Sequence, residues 1–386
     1  MGREVVITGF GVLSAFGFGA EALRKNVFAG IPGFRPVSRF DARPYRSAVA
    51  AESGCAPRQR DVFLECARTA LGMAGLSGPL SGSVLMGTQG DFTGLHRFWQ
   101  ARQRQEEPQA SEDTLAESVA AFHPEAIGRE LQVQGRRIAF TNGCVAASNA
   151  ILHGSELIAT GREELVLAGG CYLVDEEFFA KFDSGRAFAR DGRLRAFSAD
   201  RSGLLLGDGA AVLVLEEKER ALRRGARPLA RVAGWGMASD AFHVCQPHPE
   251  GTGLANAIRK ALKRAALSPA ELGYVNAHGT GTKLNDAAET NALKQALGEQ
   301  ARHVPVSSTK TMTGHTLEAS GALEAVISLI ALQDGCIPPT AGYTQPDPGC
   351  DLDYVPNEPR AARLQHVMSI NAAFGGVNTA LVLGNA

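Results

Sequence analysis

Residues 137–158, RIAFTNGCVAASNAILHGSELI, and residues 304–330, VPVSSTKTMTGHTLEASGALEAVISLI, set out the same local event twice: a short apolar strand, a loop of small residues, then an Ala-rich helix. Strands alternating with helices of this length read as a layered α/β fold. Further strand candidates lie at 5–8, 83–87, 165–168, 211–216, 230–234, 274–277, 367–371 and 380–383. The runs LVLAGG (165–170) and AVLVLE (211–216) have no polar face, which suits strands covered on both sides.

Between the two events lies the charged segment 216–231, EEKERALRRGARPLAR, which reads as a solvated helix followed by a Gly/Pro turn. We place the boundary between two halves there, giving 1–227 and 228–386. The recurrence suggests an internal duplication, in which two helix starts would meet near a pseudo-two-fold axis. The stretch 97–118, rich in Gln and Glu and broken by Pro108, loses its periodicity and reads as a surface loop.

Composition narrows the function classes. Of 386 residues 45% are hydrophobic and 20% charged, enough for a large core of small and branched side chains. Lys and Arg total 39 against 40 Asp and Glu, a net charge of -1, and that balance argues against a nucleic-acid partner. Apolar runs such as 165–174 and 325–332 fall far below the ~20 apolar residues of a bilayer span. The start, MGREVVITGFG, lacks a signal-peptide apolar region, so a cytoplasmic location is expected. Seven scattered cysteines (Cys55, Cys66, Cys144, Cys171, Cys245, Cys336, Cys350) form no C-x-x-C pair and read as free thiols.

Chemistry concentrates at strand-to-loop junctions. Cys144, in TNGCVAAS (141–148), stands where a strand gives way to a helix, and the unpaired amides and dipole there favour a thiolate. Taken alone, a cysteine beside a glycine is more often a small buried hydrophobe. In YVNAHGTGT (274–282) a strand delivers His278 into a loop with Thr280 and Thr282, suited to hydrogen bonding a ligand's amide or carbonyl groups, or simply to a turn. In VSSTKTMTGH (306–315) Lys310 and His315 precede a helix carrying Glu318 and Glu324, and a Lys310–Glu324 pair would fix His315. At SINAAFGGVN (369–378), Gly375 and Gly376 beside Phe374 let backbone approach a ligand. Rival motifs fail: GFGVLS (9–14) lacks the third glycine of a dinucleotide loop, no Gly-Lys dipeptide or G-x-S-x-G elbow exists, and His243, Cys245 and His248 lack a second ligand pair for zinc. No metal is expected.

Together, one cysteine, two histidines, one lysine and a glycine-bound aromatic resemble the beta-ketoacyl synthase family of condensing enzymes, with the thiolase fold. The resemblance runs through VVITGFGVLSAFG (5–17), FTNGCVAAS (140–148), RAFSADRSGLLLGDGAAVLVLE (195–216), SDAFHVCQPHPEGTG (239–253), VNAHGTGTKLNDAAET (275–290), SSTKTMTGHTLEASGALE (307–324) and NAAFGGVN (371–378). It implies two duplicated halves forming an α-β-α-β-α core, and a Cys-His-His centre of the elongating type. The implied reaction is decarboxylative Claisen condensation of an acyl group on Cys144 with malonyl-acyl carrier protein, in type II polyketide or fatty acid biosynthesis. The alternative is a non-condensing, chain-length-factor-like partner subunit.

The resemblance also carries roles. Cys144 would be the nucleophile, His278 and His315 the histidine pair, and Lys310 would be hydrogen-bonded near Glu324. Thr280, Thr282 and Gly375 would meet the phosphopantetheine arm. Phe374 would be a gating aromatic whose amide joins that of Cys144 in an oxyanion hole, and Arg58, Arg60 and Arg201 would face an acidic carrier protein. Substrates would arrive on that carrier's own arm with no further cofactor, and the chain would pair as a homodimer or with a chain length factor. Three residues depart from the family pattern: Ala373 and Ala372 before the gating phenylalanine, and Glu318 where a glycine is usual.

Overall fold

A computed structural model of the chain describes residues 2–54, 58–107 and 112–386, so Cys55 and Pro108 lie outside the described residues. The first half supplies β1 (Val5–Ser14), α1 (Gln59–Ala74), β2 (Ser83–Gly87), α2 (Thr93–Gln103), β3 (Arg137–Phe140), α3 (Ala146–Ala159), β4 (Leu165–Tyr172), α4 (Glu176–Ser184), β5 (Gly209–Glu217) and α5 (Lys218–Arg223). The second supplies β6 (Ala230–Ser239), α6 (Thr252–Ala265), β7 (Tyr274–Asn276), α7 (Lys283–Leu297), β8 (Val306–Ser307), α8 (Ser320–Asp334), β9 (His366–Ala372) and β10 (Val377–Gly384).

These strands join in the order β8-β7-β9-β10-β6-β1-β5-β4-β2-β3. Strands of the two halves meet where Val6 and Ile7 pair with Arg231 and Ala230. The long strands β1, β5, β4 and β6, β10, β9 pair antiparallel, while β2 with β3 and β4, and β7 with β8 and β9, pair parallel. The apolar runs at 165–172 and 209–217 are buried at every position, as their lack of a polar face requires.

Helices α3 and α8 pack on each other between the two blocks, α3 against β4 and β2, α8 against β9 and β5. On the outer faces α1 covers β1 and β5, and α6, backed by α7, covers β6 and β10. The result is the five-layered α-β-α-β-α arrangement of the thiolase-like fold. Helix α8 lies in the middle, and its residues 320–332 are all buried, which is why SGALEAVISLIAL shows no polar stripe. Close approach of the central helices depends on Gly321: a Cβ there would stand 2.6 Å from the Cβ and amide nitrogen of Ser148.

Two local expectations change. The stretch 97–118 holds the end of α2 and the short helix Glu112–Ala116, because Gln, Arg and Ala favour helix even without an apolar stripe. The segment 216–231 is solvated only in part. Glu216 is buried at the end of β5, where it accepts from the Thr8 hydroxyl at 2.5 Å and pairs with Arg220 and Arg224. The six described cysteines are free thiols.

Candidate active site

Each motif residue is delivered by a strand end or a helix start. Gly143, at φ +65, turns the chain out of β3 into the short turn Gly143–Val145 and so sets Cys144 directly before α3. Beyond β7, the amides of His278 and Gly279 donate to the Glu289 carboxylate on α7 at 2.6 and 2.7 Å. His315 leaves the helical turn Lys310–Thr313 and is tied through its backbone to Leu205 and Gly207.

These three side chains converge. His315 Nε2 lies 3.1 Å from Cys144 Sγ, and its Nδ1 lies 3.1 Å from the Ser320 hydroxyl. The His278 and His315 rings meet edge to face with centroids 5.2 Å apart, and His278 Nδ1 is buried with no hydrogen-bond partner among the described residues. Lys310 pairs with Glu324, both buried, and Asn371 Nδ2 donates to the other Glu324 oxygen at 2.5 Å. The residue that orients the His315 ring is thus Ser320, which the sequence reading did not single out; a serine at the first turn of an Ala-rich helix carries no signal. Asn371 escaped notice for a similar reason, since it reads as an ordinary strand residue.

Burial dominates the electrostatics. It pushes both imidazoles well below the usual histidine range, helped by the Lys310 ammonium, so both rings are neutral at physiological pH. The thiolate expected at the helix start is overturned. Burial first, then the Glu318 carboxyl, push the Cys144 thiol up to about 12, and Lys310 only partly offsets them. A dipole worth ~0.3–1 kcal/mol loses to the desolvation of a buried sulfur.

The site opens into a cleft of about 670 Å³ whose walls include Cys144, His278, Thr280, Thr282, His315 and Phe374. Thr280 and Thr282 hydroxyls lie 3.0 Å apart on one wall. Phe374 is 57% exposed and stacks on Phe182 of α4 with centroids 5.9 Å apart. Gly375, at φ +86, donates its amide to the Val244 carbonyl at 2.7 Å, tying the loop after Phe374 to the 240–246 segment. A larger cavity of about 970 Å³ beside Trp235 and Lys260 contains neither Cys144 nor His278 nor His315.

The three arginines do not form one rim. Arg201 is 5% exposed, pairs with Asp347 and Asp286, and donates to the Ser198, Thr282 and Lys283 carbonyls. A guanidinium so held braces the Thr282 loop and cannot meet a partner surface. Arg58 is exposed and pairs with Asp61 and Glu117, while Arg60 lies over the Phe122 ring, neither lining the cleft. The basic side chains at the mouth are Lys181, Arg186 and Lys283, all exposed. The rings of His243 and His248 accept backbone amides through Nδ1, and among the described residues no group of three His, Cys, Asp or Glu side chains gathers around a metal position.

Family models of the beta-ketoacyl synthase N-terminal domain and C-terminal domain match residues 2–221 and 229–344. The chain is 39% identical to the tetracenomycin polyketide synthase ketoacyl synthase alpha subunit of Streptomyces glaucescens, covering 99% of this chain and 97% of that protein. It is 34% identical to the 3-oxoacyl-[acyl-carrier-protein] synthase 2 of Coxiella burnetii, covering 99% and 98%. Among solved structures, the ishigamide ketosynthase/chain length factor superposes with a TM-score of 0.94 at 33% identity over 100% of both chains.

Proposed function

The chain belongs to the beta-ketoacyl synthase family, a carbon–carbon bond-forming acyltransferase family, and we propose that its acyl group is carried on Cys144 and extended with His278 and His315 as the working pair. The observation that carries this assignment is the 3.1 Å contact between Cys144 Sγ and His315 Nε2 at the floor of a cleft shared with His278.

In the first half-reaction Cys144 Sγ bonds to the acyl carbonyl of a carrier-bound thioester. The carrier thiol leaves with the proton that Cys144 gave up. In the second, malonyl-acyl carrier protein enters, loses carbon dioxide, and the freed electron pair becomes an enolate. When Ser320 donates to His315 Nδ1, Nε2 carries the ring proton. Two neutral imidazoles then offer N–H donors to the enolate oxygen without the penalty of a buried cation. The enolate carbon bonds to the acyl carbon, the C–S bond breaks, and the Cys144 thiolate takes up one proton from solvent. Decarboxylation makes the carbanion directly, so no base is needed to remove a C–H proton.

Burial keeps the imidazoles neutral, and Lys310, clamped by Glu324, reinforces it with its charge. The amides of Cys144 and Phe374 serve as the oxyanion hole, Thr280 and Thr282 hold the phosphopantetheine arm, and the Phe374 ring gates the cleft, while Gly375, its amide bound to Val244, ties down the loop behind that ring. No cofactor beyond that arm enters the cycle. Acyl carrier protein and a second ketosynthase-like subunit, identical or a chain length factor, are the partners, consistent with the names of the relatives. The setting is cytoplasmic, in keeping with the lack of any described helix long and apolar enough to cross a membrane. An assembled Cys-His-His cluster favours a condensing subunit over a non-condensing partner.

The direct test is intact-mass detection of acyl transfer. Wild type should gain one acyl group from acyl-acyl carrier protein, and Cys144→Ala none. An acyl group retained by the variant, or mapped elsewhere by peptide sequencing, would remove Cys144 from the role.

A further inference from the structure

The opening of the cleft carries apolar side chains that folding does not require. Val244 is 72% exposed, Leu284 59% and Phe242 51%, and the exposed Phe374 joins them through the loop that Gly375 ties to the Val244 carbonyl. Leu284 and Phe374 line the cleft, as do Cys245, Gln246 and Pro247, the residues that follow Val244. Large apolar groups exposed singly are ordinary, but several gathered around one opening mark a surface that another molecule covers.

The 240–248 segment presents these side chains on a backbone that is already fixed. Asp240 donates its amide to the Gly376 carbonyl at 2.8 Å, and its carboxylate accepts Asn378 Nδ2 at 2.8 Å and the His248 amide at 3.1 Å. His243 Nδ1 accepts the amides of Cys245 and Gln246 at 3.0 and 3.2 Å. The Phe242 ring meets His248 edge to face with centroids 5.1 Å apart. None of these hydrogen bonds involves the side chains of Phe242 or Val244, so polar residues there would leave the loop as it is. A loop ordered in advance loses little entropy when a partner closes on it.

What covers this patch must leave again. A subunit seated permanently over it would close the opening through which thioesters reach Cys144. The basic side chains of Lys181, Arg186 and Lys283 line the same cleft, and Lys283 directly precedes Leu284 at the start of α7. A mixed apolar and basic surface around an entrance fits an acidic protein that docks briefly and inserts a thioester arm. We propose that Phe242, Val244 and Leu284 form an apolar collar that holds acyl carrier protein during acyl transfer, by covering apolar side chains beside the carrier's arm. Charge brings the two proteins together, and the collar slows their separation. The inference takes the cleft above Cys144 as the route of the arm, so it rests on the reading of Cys144 as the acylated residue.

Phe242 and Val244 do not line the cleft itself, which makes them the cleaner probes. Binding of fluorescently labelled holo-acyl carrier protein from the same organism is measured by anisotropy at low and high salt, using the full chain with any partner subunit that copurifies. Phe242→Ser with Val244→Ser should weaken binding about tenfold at both salt concentrations, through faster dissociation. The ratio of kcat/KM for octanoyl transfer from the carrier over transfer from free pantetheine should fall about tenfold as well. Leu284→Ser, on a separate element, should weaken binding in the same sense and decides the matter if the double variant does not fold. Binding unmoved by the substitutions, or a loss confined to low salt, overturns the proposal. An equal fall with both thioesters overturns it too, since the patch would then serve the cleft and not the carrier. Unmoved carrier affinity with a smaller oligomer on gel filtration would assign the patch to a second copy of this chain. Carrier binding that responds as expected, with no octanoyl group on Cys144 by intact mass, would keep the docking surface and overturn the acyl-carrying role of Cys144.

Discussion

At Cys144 the helix start and the Lys310 charge pull toward thiolate, while burial and Glu318 pull away, and the second pair wins. A thiol held near 12 is protonated in the resting protein, so its reactivity must rise with pH across the neutral range. Iodoacetamide labelling of Cys144 should therefore accelerate about tenfold per pH unit between pH 7 and 9, with no plateau. A plateau near pH 7 would mean a preformed thiolate and a cavity more polar than its lining. The histidines behave in the opposite sense: with folded values well below the ordinary one, both stay neutral as pH falls through 6.5, and the acid limb of condensation lies lower still. His278→Ala and His315→Ala should each cut condensation by ~10²–10³ while still acquiring acyl mass on Cys144. Loss of acylation in both folded variants would show that they activate the nucleophile rather than the enolate. Cys144→Gln, whose carboxamide mimics an acyl thioester, should decarboxylate malonyl-acyl carrier protein without condensing it.

Among elements, the crossing of α3 and α8 matters most, because one carries Cys144 at its start and the other follows His315. With no room for a Cβ between Gly321 and Ser148, Gly321→Ala must push the helices apart by a fraction of an ångström. We expect a stability loss of ~1–3 kcal/mol in thermal unfolding and a disproportionate drop in condensation, on the order of 10²-fold, since small misplacements at a reacting centre are amplified. Activity falling only in proportion to the folded fraction would show that the crossing does not set the catalytic distance. The loop bearing His278 depends in turn on α7, where Glu289 accepts two buried amides. Glu289→Ala leaves both unpaired and should cost about 2 kcal/mol or more, read in the same assay. Strands and central helices were legible in the sequence because each has one period and one environment. The helix at 93–103 was not, because its stripe is polar, and neither was Glu216, whose burial depends on Thr8, Arg220 and Arg224 arriving from elsewhere in the fold.

For the whole molecule, motif spacing identified residues that the fold brings into one cleft, yet it could not say which arginines face outward. Exposure is a property of the assembled layers, and Arg201, conspicuous in ADRSG, is locked between two aspartates. With a net charge of -1 the chain has no global field to attract an acidic carrier, so recognition must come from a local patch. The cleft mouth supplies one in Lys181, Arg186 and Lys283, close to where a phosphopantetheine arm must enter. Lys181 already pairs with Glu177, which leaves Arg186 and Lys283 as the better probes. Arg186→Glu with Lys283→Glu should raise the KM for acyl carrier protein about tenfold at low ionic strength, and the effect should fade as salt shortens the screening length. Acylation by a pantetheine thioester should stay unchanged, because rim charges govern encounter and not the chemistry at the cleft floor. Arg58→Glu with Arg60→Glu, away from the mouth at the start of α1, should alter neither rate. A carrier-protein KM that rises only in this second pair would move the docking face to α1 and leave the mouth lysine and arginine as ordinary solvated residues.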